Sequence, residues 1–237
     1  AVLDADGFSV GDYWKNMSKL CIVWNLASAE NIRYEVPFGS CEGKPRRPLI
    51  ASRWVDVKVG KSAFAYFNEG MPSHYVEDAV LRNVIAWGAQ TDNFNSRIYG
   101  SMKYSKVFDL SLRGRYHYHW AVMPHSPKMT AGELSNLAHS WSEPPIGTII
   151  KTSQGNLSPK RTYLKLGKDI VPVSVEKDLE DDSDLKVLVY EADGKNAKCA
   201  VKASYKKAKS VLQLLNSKKT KNLSAHKIGW LKIKYGD

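Results

Sequence analysis

Short runs in which apolar and polar residues alternate recur along the chain, the signature of strands that bury one face. Ser18 to Asn25 and Asn31 to Phe38 carry it on either side of the turn Ala27-Ser28-Ala29-Glu30. Within Leu49 to Val59, Trp54, Asp56 and Lys58 point one way and Val55, Val57 and Val59 the other. Arg97 to Leu110 and Arg115 to Met123 are rich in Tyr, Phe, Val and Trp, residues that suit a pleated surface. Ile146 to Lys151, Arg161 to Leu166, Ile170 to Glu176, Leu185 to Glu191, Lys198 to Tyr205 and Ile228 to Tyr235 continue the series. Roughly ten short strands with turn signals between them predict an all-β fold, a jelly-roll antiparallel β-sandwich formed as a single domain over residues 1–237.

Two or three short helices are expected in the connections. Ser73 to Trp87 places Val76, Ala79, Val80, Val84 and Trp87 at helical spacing behind a possible cap at Ser73. Thr130-Ala131-Gly132-Glu133 spells a capping box ahead of Leu134, Leu137 and Trp141. From Tyr205 to Leu215, Tyr205, Ala208, Leu212 and Leu215 share a helical face, with Lys206, Lys207 and Lys209 on the other.

The net charge of +11 is unevenly placed. Residues 1–194 hold 23 Lys+Arg and 23 Asp+Glu, whereas residues 195–236 hold 12 lysines, no arginine and no acid. A lysine offers a phosphate a point charge without reading bases, so this stretch suits sequence-independent binding of a polyanion. Lys198, Lys202, Lys206, Lys207, Lys209, Lys218, Lys219 and Lys221 are the candidate RNA-binding residues. Lys232 and Lys234 alternate with Leu231, Ile233 and Tyr235 and are read as the wet side of a last strand. The acidic run Glu176, Asp178, Glu180, Asp181, Asp182 and Asp184 is read as a solvated loop.

Catalytic signals are sparse. The chain has neither GxxxxGK[ST] nor GxGxxG, and no Ser, His and Asp set is spaced for mutual reach. His117 and His119 are the weak metal candidates, because alternate residues of a strand share a face. The carboxylate that would complete such a site is missing from Met123-Pro124, so aromatic and polar packing is the expected role. Cys21, Cys41 and Cys199 form an odd set without CxxC spacing, expected as small buried residues in a reducing compartment. No run of 18 apolar residues predicts a membrane helix, and Ala1 to Asp6 lacks the features of a signal peptide. No cofactor and no enzymatic activity are expected.

The order of segments resembles that of capsid proteins of the picornavirus-like positive-strand RNA viruses, in the secovirus-type branch that infects plants. The resemblance is carried by Leu20-Cys21-Ile22-Val23-Trp24, by Ile32-Arg33-Tyr34-Glu35-Val36-Pro37, by Tyr99-Gly100-Ser101-Met102-Lys103-Tyr104, by His119-Trp120-Ala121-Val122-Met123-Pro124, and by the short helix expected after Thr130. It departs in placing its basic segment at the C-terminal end. The resemblance implies a polyprotein product that tiles an icosahedral shell around single-stranded RNA, with other capsid subunits and the viral genome as partners. It also implies residence in the virion and the host cytoplasm. The alternatives are a non-virion RNA-binding protein, and a jelly-roll metal-binding enzyme or lectin using His117 and His119.

Overall fold

The computed structural model describes residues 2–8, 19–87, 90–91, 108–109, 112–143, 145–147, 162, 164–179, 184–201, 208–213, 218–219 and 222–235. The chain divides into two compact units, residues 1–34 with 42–125 and residues 35–41 with 126–237. It is an all-β antiparallel sandwich, as the alternation predicts.

The first unit contains β1 (Val2–Phe8), β2 (Lys19–Asn25), β3 (Ile32–Val36), β4 (Gly39–Gly43), β5 (Leu49–Ile50), β6 (Trp54–Val59), β7 (Ser62–Asn68), β8 (Ser73–Glu77), β9 (Val80–Trp87), β10 (Gln90–Thr91), β11 (Phe108–Asp109), β12 (Leu112–His117) and β13 (Trp120–His125). The tip of the β3–β4 hairpin, residues 35–41, counts with the second unit. Two sheets, ordered β2-β9-β8-β5 and β13-β7-β6-β3-β4, face one another. Ile32, Val55, Val57 and Tyr66 from one meet Leu49, Val76 and Leu81 from the other, and Trp24, Phe64 and Trp120 fill the remaining space. Each fully buried side chain of this size contributes about 1.5–3 kcal/mol, which is why this face outweighs local preferences.

Ser73 to Trp87 is such a case. The expected helix is a hairpin, β8 and β9, with Glu77 opposite Val80. Its turn residues Asp78 and Ala79 have φ of 49° and 59°, the double left-handed geometry that matches strand twist. β-Branched Val76, Val80 and Val84 suit a sheet, and the Asp-Ala turn lacks the glycine that usually marks such hairpins. In β6, Trp54, Val55, Asp56 and Val57 are all buried, so both faces of the strand are covered at Asp56. Its carboxylate accepts from Arg33 and His125, the latter at 3.0 Å. His125 sits two strands away and reaches Asp56 across β7, where only Ala63 and Ala65 intervene on that face.

The second unit holds helix α1 (Ala131–Ser142), then β14 (Ile170–Lys177), β15 (Leu185–Glu191), β16 (Ala197–Lys198), β17 (Ala208–Gln213), β18 (Lys218–Lys219), β19 (Asn222–Leu223) and β20 (Ile228–Tyr235). The capping box forms as expected: Thr130 Oγ1 accepts from the Glu133 amide at 3.2 Å, and Glu133 accepts from the Thr130 amide at 2.9 Å. The strands make a sheet ordered β14-β15-β20-β17-β18 and a separate β16–β19 ribbon. Ile170, Val187, Val189, Leu231 and Ile233 pack with Ala197, Cys199 and Leu223.

The expected helix at Tyr205 to Leu215 is replaced over Ala208–Gln213 by β17, which pairs with β20 through Val211 and Ile233. The apolar spacing there fits both periods, and pairing with a buried strand decides between them. Among the described residues α1 is therefore the one α-helix. The acidic run is not wholly solvated either. Asp178 and Asp184 are buried, and Lys232 Nζ lies 2.5 Å from Asp178 and 3.6 Å from Asp184, with Lys186 3.2 Å from Asp178. Lys232 is thus a largely buried counter-charge rather than part of a wet edge.

Candidate functional site

The chain from Arg115 to Met123, expected as one strand, breaks at Tyr118 and His119. β12 pairs with β1, whereas β13 pairs with β7. His117 ends β12 and His119 lies in the turn, so the shared strand face that made them metal candidates does not form. Instead His119 Nδ1–H donates to the Glu69 carboxylate at 2.8 Å, and the Glu69 amide donates to the His119 carbonyl at 3.1 Å. Both side chains are well exposed, 67% and 51%. The rings of Tyr116 and Tyr118 stack within 16° of parallel, centroids 6.5 Å apart. Burial, and then the neighbouring Tyr116, raise the Tyr118 hydroxyl above its ordinary pKa. Among the described residues no group of three or more His, Cys, Asp or Glu is placed to hold a metal ion.

Four of the eight lysines predicted to bind RNA lie within the described residues. Lys198 is exposed on β16, Lys209 belongs to β17, and Lys218 and Lys219 make β18. Lys202, Lys206, Lys207 and Lys221 lie outside the described residues, as do most of the strand expected at Arg97 to Leu110 and the segment 148–151.

Other ionisable groups serve the fold. The buried Glu35 carboxylate accepts from Ser135 Oγ at 2.9 Å and Tyr190 Oη at 3.5 Å. Glu191, fully buried, accepts from the amides of Asp193, Gly194, Lys195 and His226 at 2.8–3.1 Å and so ties two turns together. Asp193 in turn accepts from the Ala131 amide at 2.8 Å, at the α1 N-terminus, where a carboxylate also meets the favourable end of the helix dipole. Burial pushes the Cys199 thiol up to about 11 and raises that of Cys21, which leaves neither primed as a thiolate nucleophile. Cys41 is exposed, against the expectation of three buried cysteines.

A groove of about 500 Å³ runs between α1 and residues 164–172, walled by Met129, Leu137, Leu164, Leu166, Ile170 and Pro172. Sequence reading missed Glu69 altogether, since nothing near it in the chain signals a partner 50 residues away. It also missed that Gly7-Phe8-Ser9-Val10-Gly11 spells G-x-S-x-G; β1 ends at Phe8, and Ser9 to Gly11 lie outside the described residues.

No protein-family model matches the chain, and no curated protein matches it. Solved structures do. A protein in glycosyl hydrolase family 38 from Enterococcus faecalis matches 91% of this chain with a TM-score of 0.70 at 14% identity. An α-mannosidase from Enterococcus faecalis V583 matches the same share with a TM-score of 0.69 at 14% identity. The chain spans about a quarter of the length of each, 26%. The likeness is one of fold: nearly all of this all-β chain is similar to a portion of two larger glycosidases.

Proposed function

We propose that this chain is a non-catalytic β-sandwich module of a larger glycosidase of the α-mannosidase kind. The observation that carries the reading is that 91% of the chain is similar to 26% of two such proteins. Fold alone does not specify chemistry, so the side chains matter. Glycoside hydrolysis ordinarily uses two carboxyl groups flanking a bound sugar. Here the buried carboxylates of Glu35, Asp56 and Glu191 are engaged with Ser135, Arg33, His125 and backbone amides, which suits a supporting module better than a catalytic one. The test is to isolate the native polypeptide that carries this chain and assay it on 4-nitrophenyl α-D-mannopyranoside beside the chain alone. Hydrolysis by the native polypeptide and none by the chain supports the reading. A native polypeptide without that activity removes it.

A second reading is a capsid subunit enclosing single-stranded RNA, favoured by the confinement of 12 lysines to residues 195–236. On that reading Lys206, Lys207, Lys209, Lys218, Lys219 and Lys221 offset RNA charge. Neutralising them then flattens the dependence of RNA affinity on salt, since each lost phosphate contact lowers the slope by about 0.7 for a single strand. An unchanged slope removes the role.

A further inference from the structure

We propose that the groove between α1 and residues 164–172 binds an amphipathic carboxylate, an unbranched aliphatic chain that ends in a carboxylate group. The proposal goes beyond the glycosidase-module reading and does not depend on it. The groove encloses about 500 Å³, within the range that holds a small ligand. Met129, Leu137, Leu164, Leu166, Ile170 and Pro172 wall it, and among the described residues no aromatic side chain lines it. Flat ligands such as nucleotide bases gain from stacking on aromatic rings, which this lining lacks. An alkyl chain needs only aliphatic area to leave water. Leu137 is 41% exposed, apolar surface on the groove wall that the fold of the unit leaves uncovered.

The charge of the lining selects the head group. Glu133, Asn136, Lys165 and Lys168 are its polar members. The Glu133 carboxylate is committed to the capping box, where it accepts from the Thr130 amide at 2.9 Å. Asp169, next in the chain to Lys168, hydrogen-bonds with Thr130 and Asp193 and is not among the lining residues. Lys165 and Lys168 are exposed, and neither makes a salt bridge among the described residues. Two ammonium groups against one carboxylate leave the groove positive, so an anion is favoured over a cation. The Asn136 side-chain amide adds a neutral donor. Both walls are also held before any ligand arrives. Glu133, Asn136 and Leu137 stand at i, i+3 and i+4 on α1, one helical face. Opposite them, the Ile170 amide donates to the Gly167 carbonyl at 3.0 Å, and a Cβ on Gly167 would stand 2.5 Å from the Lys198 carbonyl oxygen. A site fixed in advance loses less on binding.

The test titrates the full chain with decanoate and, separately, with hexanoate and decyltrimethylammonium, each below its micelle concentration, following methyl resonances by NMR. Decanoate is expected to bind with a dissociation constant of about 0.1–1 mM and to move the methyl resonances of Met129, Leu137, Leu164, Leu166 and Ile170. Hexanoate, shorter by four methylenes, is expected to bind at least about tenfold more weakly, since each buried methylene is worth about fourfold. The cation with a similar tail is expected to bind at least about fivefold more weakly. Leu137→Gln changes a partly exposed helix position and is expected to weaken decanoate about fivefold or more. Lys165→Gln combined with Lys168→Gln is expected to abolish the preference for the anion. Absence of decanoate binding, equal binding of the cation, shifts confined to other residues, or unchanged affinity in Leu137→Gln overturns the proposal. The native polypeptide that carries the chain is titrated in the same way. Binding at the same methyl groups supports the site. A groove that decanoate reaches in the chain alone but not in the native polypeptide is filled by another part of that polypeptide, which overturns the proposal.

Discussion

Acidifying the chain from pH 7.5 to pH 5 presses a proton on His74, whose ring is fully buried in the first unit. Its Nδ1–H donates to the Pro72 carbonyl at 2.9 Å, and the Tyr66 ring meets it edge-on at 5.7 Å. Nε2 is buried without a hydrogen-bond partner, so a proton added there has no acceptor. Burial accordingly lowers the His74 pKa from 6.5 to about 4, against a smaller raising effect of the Pro72 bond. The unfolded chain takes up the proton first. The stability owed to neutral His74 is complete above about pH 6.5 and is lost as the pH falls toward about 4. At pH 5 the unfolded state lies 1.5 pH units below its midpoint while the folded ring is still neutral, a loss of about 2 kcal/mol at 1.36 kcal/mol per unit. The assay is urea unfolding of wild type and His74→Asn, followed by tryptophan fluorescence. Asparagine keeps a donor for Pro72 but carries no titration, so it cancels the contributions of all other groups. The variant is expected to be less stable at pH 7.5 because the smaller side chain leaves a void. Its deficit is expected to shrink by about 2 kcal/mol at pH 5. A constant gap between the two proteins across this range refutes the reasoning.

Substitutions at three other positions read the packing of the second unit by the same unfolding assay. Glu191→Ala removes the acceptor of four part-buried amides and is expected to cost about 3 kcal/mol, with Glu191→Gln costing distinctly less. Gly132→Ala would put a Cβ 2.6 Å from Asp169 Cα and 2.7 Å from the Lys168 carbonyl, backbone that cannot turn aside. It is expected to destabilise by about 1–3 kcal/mol although alanine is the better helix former. Lys232→Met removes the cation shared by the buried Asp178 and Asp184, leaving Lys186 3.2 Å from Asp178, and is expected to cost about 3 kcal/mol at pH 7.

Strands that bury one face and end in clear turns were legible in the sequence. Leu185 to Glu191 and Ile228 to Tyr235 form with the expected bounds, and Thr130 caps α1 through a four-residue motif whose partners are local. Two segments, Ser73 to Trp87 and Tyr205 to Leu215, misled because their apolar residues fit both periods and the winning strand partners lie elsewhere in the chain. Asp178 looked solvated for a related reason. Its counter-charge Lys232 is 54 residues away and leaves no local mark, and the same holds for the pairing of Asp56 with Arg33, 23 residues away. The candidate site was half visible. His117 and His119 drew attention as a pair, yet the pair that forms is His119 with Glu69, and the stacked Tyr116 and Tyr118 had registered only as strand formers.

The most direct measurement of the central claim, that this chain is one module of a larger glycosidase, is the mass of the native polypeptide detected by an antibody against it. Since the chain corresponds to 26% of the proteins it is similar to, the polypeptide is expected at about four times the 26.6 kDa of the chain, and it should sediment without forming particles. A native polypeptide near 26.6 kDa, sedimenting in particles of uniform size with RNA, would contradict the account.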